Sequence, residues 1–300
     1  MTELLINEQP VKLSKLEKVF WPGEGYTKSD LIQYYIKAAP YLIPLLKDRP
    51  LSLTRYPDGI AGKWFYQKNK PAHAPDWIPS FDWRPRKGKV TQYILCNNLE
   101  TLVWLANQAC IELHPWFSRY DKVNYPDYAV FDLDPMEPLD FEAAREIALL
   151  LKSVLDEFRI FSVPKTSGAT GIHIYVPVVR KFTYKEIQLF IQYIGKFVLQ
   201  AYPQKTSLYE RRVKDRRGKV YIDYLQNNRG QTVASAFSVR PRPGAPVSLP
   251  FCWEDIHTVQ PEQFTLHTAE QRIKEAGDFY LGALEKKQDI RPLLRRARES

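Results

Sequence analysis

The chain predicts a mixed α/β fold of the α+β kind, built around a central β-α-β-β-α-β unit of ferredoxin type, and three observations carry that expectation. An apolar run closes in Val130-Phe131-Asp132-Leu133-Asp134-Pro135. Side chains alternate along a strand, so this strand end presents both carboxylates on one face. Two segments repeat apolar residues at spacings of three and four, as amphipathic helices do: Phe141, Ala144, Ile147, Leu151, Val154, Leu155 and Phe158, then Ile187, Ile191, Ile194 and Val198 within residues 184–201. Strand-like runs at 160–164, 172–178 and 219–225 fill the remaining places. In this plan strands one and three lie side by side and strand four borders strand one. Asp132, Asp134, His173 and Asp223 are therefore expected on one sheet face.

Two carboxylates held that close repel and raise each other's pKa unless a cation lies between them. A divalent ion shared with substrate phosphates meets that need, since Mg²⁺ takes one or two carboxylates together with phosphate oxygens. A solvated turn cap is the plainer alternative. The turn-rich segment Lys165-Thr166-Ser167-Gly168-Ala169-Thr170-Gly171 leads into Ile172-His173. Its glycines allow tight turns that aim amide N–H groups at an anion, while Lys165 adds a charge, Ser167 a hydroxyl and His173 a ring N–H. Alone it reads as a hairpin turn; beside the carboxylates, triphosphate binding is the better reading. Asp223 sits in the apolar run Val220-Tyr221-Ile222-Asp223-Tyr224-Leu225 and needs either an arginine partner or a metal. Arg240 and Arg242 are expected at another strand end, where a guanidinium suits bidentate capture of phosphate.

These motifs closely resemble the polymerase domain of bacterial ligase D, a branch of the archaeo-eukaryotic primase superfamily that serves non-homologous end joining. The resemblance rests on Asp132-Leu133-Asp134-Pro135, on Lys165-Thr166-Ser167-Gly168-x-x-Gly171-x-His173 and on Ile222-Asp223-Tyr224-Leu225-Gln226-Asn227. It extends from Glu17-Lys18-Val19-Phe20-Trp21-Pro22 through Tyr26-Thr27-Lys28-Ser29-Asp30, Arg55-Tyr56-Pro57-Asp58-Gly59, Phe65-Tyr66-Gln67-Lys68-Asn69 and Glu112-Leu113-His114-Pro115-Trp116 to Arg240.

The resemblance implies a primase-polymerase fold with an RRM-like centre. Asp132, Asp134 and Asp223 would hold two divalent ions, Mn²⁺ or Mg²⁺. His114, Lys165, Ser167, Gly168, His173 and Arg240 would bind the nucleotide, with Phe65 stacking near the templating base. Lys18 and Lys28 match a basic pair that grips the 5′-phosphate across a gap or break, and Lys68 an adjacent phosphate. Ribonucleotide preference, Ku and a DNA ligase as partners, and gapped or broken DNA as substrate follow by the same resemblance.

Plainer readings stand beside several of these residues. Lys18 and Lys28 could be solvated lysines, the latter in the first turn of a helix capped by Thr27 or Ser29. Trp64, Phe65 and Tyr66 could be strand packing, and His114 a satisfied core histidine.

Composition agrees with a polyanion-binding enzyme. The 43 basic and 34 acidic residues give a net charge of +9, which favours nucleic acid and salt-dependent binding. Much of the excess is clustered: Arg84, Arg86, Lys87 and Lys89 in a loop; Arg211, Arg212, Lys214, Arg216, Arg217 and Lys219 before Asp223; Arg291, Arg295, Arg296 and Arg298 near the end. The middle cluster, above all Arg211, Arg212 and Arg216, is the expected DNA track, and the last reads as a frayed helix end or linker. Cys96, Cys110 and Cys252 form neither a disulfide framework nor a Cys-x-x-Cys zinc site, which fits a reducing bacterial cytoplasm. No signal segment or membrane-spanning run is expected.

The 300 residues read as one domain. Residues 1–115 are expected to supply DNA contacts, 116–250 catalysis and 251–300 a helical C-terminal segment including 261–276. A primase or a metal-dependent nuclease using the same carboxylates is an alternative, and so is a DNA-end-binding scaffold.

Overall fold

A computed structural model of the chain describes residues 2–85, 88–210 and 212–299. The N-terminal part opens with a hairpin, β1 (Thr2–Ile6) and β2 (Gln9–Leu13), and a short pair, β3 (Val19–Trp21) and β4 (Tyr26–Thr27). Helix α1 (Lys28–Leu46) follows; Thr27 caps it in a reciprocal box with Asp30, as the sequence suggested. Next come β5 (Pro50–Arg55), β6 (Phe65–Gln67), β7 (Ser80–Trp83), β8 (Thr91–Leu95), α2 (Leu99–Asn107) and β9 (Cys110–Pro115). In this sheet β5 pairs with β6 and β8 along one edge and with β9 along the other. Apart from the strand reading weighed for Trp64, Phe65 and Tyr66, none of it was expected from local pattern, because β5 and β9 meet only through long-range pairing. His114 lies near the end of β9, the strand that follows α2.

The central unit matches expectation closely: β10 (Tyr128–Pro135), α3 (Phe141–Glu157), β11 (Val163–Thr166), β12 (Ile172–Pro177), α4 (Tyr184–Ala201), then β13 (Thr206–Ser207) and β14 (Val220–Ile222). The sheet order β11-β12-β10-β14-β13 is the split-βαβ arrangement with an added parallel edge strand. Phe131 and Leu133 face the helices, Phe131 edge-on to Phe190 of α4 at 6.0 Å. The other face changes character along its length. Tyr128 and Tyr175 make an aromatic end packed on Tyr280, whereas Asp132 and Asp134 make an acidic end.

Three local expectations are corrected. The fourth strand is not 219–225 but stops at Ile222, because the Asp223 side chain accepts from the Leu225 N–H at 2.9 Å and turns the chain into a 3-10 turn. Asn227 then exchanges both of its amide hydrogen bonds with the Val130 backbone, at 3.0 and 2.7 Å, standing in for the strand that stopped. The segment around Arg240 makes isolated bridges, Val239 with Val247 and Lys165 with Pro250, and no strand. At the C-terminus 261–276 is not one helix: a 3-10 turn at Pro261–Gln263 precedes α5 (Glu270–Leu284). The last basic cluster lies on α6 (Arg291–Glu299), anchored by buried Leu293 and Leu294.

Candidate functional site

Strand register builds the site. Lys165 of β11 stands opposite His173 of β12, and His173 opposite Asp132 of β10. Asp223 continues the row, its N–H donating to the Asp132 carbonyl at 2.9 Å. The four residues thus cross the sheet in one line, and Asp134 lies two residues along the same face.

Asp132 is almost fully buried, with Oδ1 3.1 Å from His173 Nε2. That contact is not aligned as a hydrogen bond, and Oδ1 has no hydrogen-bond partner. Burial first, then the charge of Asp223, pushes Asp132 up to about 7. The charge of Asp132 and then burial push Asp134 up to about 8, and burial raises Asp223 as well. Three carboxyls that resist ionisation together, one with an orphaned buried oxygen, are a donor set that fits a divalent cation. Among the described residues no three acidic, histidine or cysteine groups are already gathered into a cage.

The turn after β11 is shaped by two glycines. Gly168 has φ +71°, and a Cβ there would meet the Arg240 stem at 2.7 Å and the Ser248 nitrogen at 2.9 Å. A Cβ on Gly171 would lie 2.6 Å from the Leu133 carbonyl and 3.4 Å from Asp134 Oδ1. Without side chains, the turn closes against both the arginine and the carboxylate strand. Ser167 is spent on the turn itself, its hydroxyl accepting from Ala169 N–H and Gly171 N–H at 3.1 and 3.0 Å.

Arg240 bridges this turn to the N-terminal sheet. It donates to the Ser167 carbonyl and, through Nε at 2.6 Å, to Glu112 of β9. Glu112 also lies 3.5 Å from His114 Nε2, which contacts Thr54 at 3.2 Å. Burial alone would raise Glu112, but His114 and Arg240 overcome it and hold its carboxyl down at about 2. Glu112 was assigned no role from the sequence, though its place two residues before His114 on one strand face was a readable signal.

Two further groups lie around this centre. Lys28 is buried, its ammonium donating to the carbonyls of Ser14 at 2.6 Å and Asn107 at 2.9 Å. Burial, with Lys18, Lys15 and Arg55 nearby, lowers it to about 8. Lys18 is paired with Asp58 at 2.5 Å. Of the aromatic trio none is core: Trp64, Phe65 and Tyr66 are 60%, 44% and 46% exposed. Arg55 lies over Phe65 at 5.2 Å, and Tyr66 approaches His114 at 6.2 Å with Lys68 5.6 Å from its ring. Arg216 stacks on Tyr221 at 3.5 Å and is among the charges that temper Asp134 and Asp223, while Arg212 is exposed. Arg211, Arg86 and Lys87 lie outside the described residues.

A split-βαβ sheet carrying acidic residues on its open face, rimmed by a glycine turn and arginines, defines a nucleotidyltransferase of primase-polymerase type. The family model described as "LigD, primase-polymerase domain" matches residues 27–280, and the chain belongs to that family. It is 38% identical over 276 residues to the bifunctional non-homologous end joining protein LigD of Bacillus subtilis, covering 90% of this chain and 44% of that protein. The multifunctional non-homologous end joining protein LigD of Pseudomonas aeruginosa is 33% identical, with 89% of this chain and 32% of that protein covered. The chain thus spans less than half the length of these relatives. Among solved structures, the polymerase domain of Mycobacterium tuberculosis ligase D in complex with DNA aligns with a TM-score of 0.84 and 26% identity, over 93% of this chain and 99% of that one. Divalent-metal dependence goes with a polymerase family. Among the described residues no helix is long and apolar enough to cross a membrane.

Proposed function

We propose that this chain is a DNA-dependent nucleotidyltransferase that fills gaps and extends ends at double-strand breaks in bacterial end joining, preferring ribonucleotides. We place it in the cytoplasm, working beside Ku and a ligase, as a single domain whose site draws on both 1–115 and 116–250. The observation that carries the reading is the line Lys165-His173-Asp132-Asp223 across one sheet, with Asp134 beside it.

Asp132, Asp134 and Asp223 would hold two divalent ions, Mn²⁺ or Mg²⁺, which when bound neutralise the triphosphate and activate the primer hydroxyl. Arg240, His114 and His173 would supply donors to phosphate oxygens. Gly168 and Ser167 keep the turn low enough for that approach. Glu112 keeps Arg240 and His114 in place while staying ionised across the working pH range. Glu112→Gln is therefore expected to raise the nucleotide KM about tenfold with a smaller change in kcat, as removal of such supporting partners commonly does. Unchanged steady-state constants would remove Glu112 from the site.

Phe65 offers an exposed face for a base, and Lys68, Arg212, Arg216 and Arg211 offer charge for the backbone. Lys18, Lys28, Lys15 and Arg55 crowd together with Asp58 paired to Lys18, and the remaining positive charge favours a terminal phosphate. Lys18→Ala with Lys28→Ala should abolish stimulation by a downstream 5′-phosphate while leaving extension of a simple primer-template.

The deciding experiment is extension across a short gap with Mn²⁺, comparing ribonucleotides with deoxyribonucleotides and 5′-phosphate with 5′-hydroxyl. Phosphate-dependent ribonucleotide addition supports the proposal. Indifference to the phosphate would point to general priming, and no extension to an end-binding scaffold.

A further inference from the structure

We propose that Lys165 and Ser248 are positioning residues that lock His173 as its Nε2–H tautomer, the Nε2 edge of the ring lying on the Asp132 side of the sheet. The inference deepens the nucleotide-site reading and rests on it for its functional meaning. It moves Lys165 from direct contact with a triphosphate to support of the histidine that would make that contact.

The geometry begins with burial. Lys165 has no exposed surface, and its amine lies 2.8 Å from His173 Nδ1 while also donating to Ser248 Oγ. Ser248 gives its own hydroxyl hydrogen to the Thr166 carbonyl at 2.7 Å. A hydroxyl committed in that way meets the amine only as an acceptor. In the proposed arrangement a second amine N–H faces Nδ1, which offers its lone pair, and a neutral imidazole accepting at Nδ1 carries its hydrogen on Nε2. On the opposite side Asp132 Oδ1 lies 3.1 Å from Nε2 without alignment for a hydrogen bond, so the choice of tautomer falls to Lys165 and Ser248.

The clamp is built into the backbone. Thr166 N–H donates to the Leu249 carbonyl at 2.9 Å, Leu249 N–H returns to Thr166 Oγ1 at 3.1 Å, and Lys165 bridges Pro250. Ser248 is thus fixed against β11 independently of any ligand. Its consequence is a ring N–H donor set in advance beside the carboxylates, ready for a phosphate oxygen with no tautomer exchange. Partners of this kind behind a working histidine fix its orientation and tautomer and are worth roughly 10–100-fold in function.

The test uses the full chain with Lys165→Met, Ser248→Ala and His173→Ala. Long-range ¹H–¹⁵N spectra of histidine-labelled, metal-free protein should show His173 as Nε2–H in the wild type. Both Lys165→Met and the smaller Ser248→Ala should shift it to a mixture. An Nδ1–H wild type, or a tautomer unmoved by either change, overturns the inference. A double-mutant cycle on the nucleotide KM gives the functional half. Lys165→Met should raise KM about tenfold or more in the wild type and add nothing in the His173→Ala background. Additive effects would return Lys165 to direct triphosphate contact and overturn the proposal. Should Lys165→Met not fold, the same cycle is run with Ser248→Ala. The tautomer is read without substrate, so a chain that failed to polymerise would sink the functional reading and leave this result separately decided.

Discussion

Asp134→Asn is expected to abolish nucleotidyl transfer and, in the metal-free protein, to raise thermal stability at pH 8. Both effects have one cause. Asp134 is pushed up to about 8 by the Asp132 charge and by burial, so the folded protein holds a proton there that the unfolded chain releases at ordinary carboxylate pH. With the folded pKa above the unfolded one, the folded state binds more protons through that window, and stability falls as pH rises. The loss begins near the unfolded value of 3.8 and is complete once pH passes about 8. Asparagine removes it, a gain on the order of a few kcal/mol at pH 8 and almost none at pH 4. The same substitution removes a proposed metal ligand, and a loss of roughly a thousandfold in rate corresponds to about 4 kcal/mol. Melting curves against pH, with and without Mn²⁺, check the stability half. Mn²⁺ should restore the wild type at pH 8 and help the variant much less. A metal-free wild type with no fall in stability between pH 4 and 8, or an active Asp134→Asn protein, would remove these carboxylates from the metal site.

Asp127→Ala is expected to cost about 3–5 kcal/mol of stability, the largest loss of any single change away from the site. Asp127 and Arg49 are both buried and meet at 2.6 Å; Arg119 and Arg180 approach the same carboxylate at 3.1 and 3.0 Å. Removing the one anion leaves Arg49 charged and enclosed, with its remaining donors on the Trp116 and Phe117 carbonyls and the Tyr128 hydroxyl. Folded domains are stable by only about 5–15 kcal/mol, so the variant should unfold at much lower urea. Asp127 also leads directly into β10, bonding Phe117 on one side and Val178 on the other. Loosening it should therefore disturb the strand that carries Asp132 and Asp134. Asp127→Asn, which keeps the shape and loses the charge, should fall between wild type and Asp127→Ala in urea unfolding. Midpoints unchanged in both would mean that the three arginines are satisfied without Asp127.

The central unit was legible because its signals are local. The helical spacing from Phe141 to Phe158 and the alternation around Asp132, like the cap at Thr27 in the N-terminal part, each depend on neighbours within a turn or two, and they survive in the folded chain. The end of β14 was misjudged because the Asp223 side chain competes with the strand for a backbone N–H, a local choice that hydropathy does not register. The N-terminal sheet escaped notice for a different reason. β5 takes two of its three partners, β8 and β9, from residues dozens of positions away, and short strands such as Phe65–Gln67 carry too little pattern alone.

By itself the sequence determined the order of elements in the central unit, the acidic face and the glycine turn, since periodicity and backbone freedom are properties of short segments. Only the tertiary structure decided that Glu112 governs Arg240 and His114, that Lys165 is wholly enclosed behind His173, and that Lys28 is buried among carbonyls. Those facts depend on which distant strands are brought side by side. Burial and charge pairing, which set what a titratable group can do, do not exist until that packing is complete.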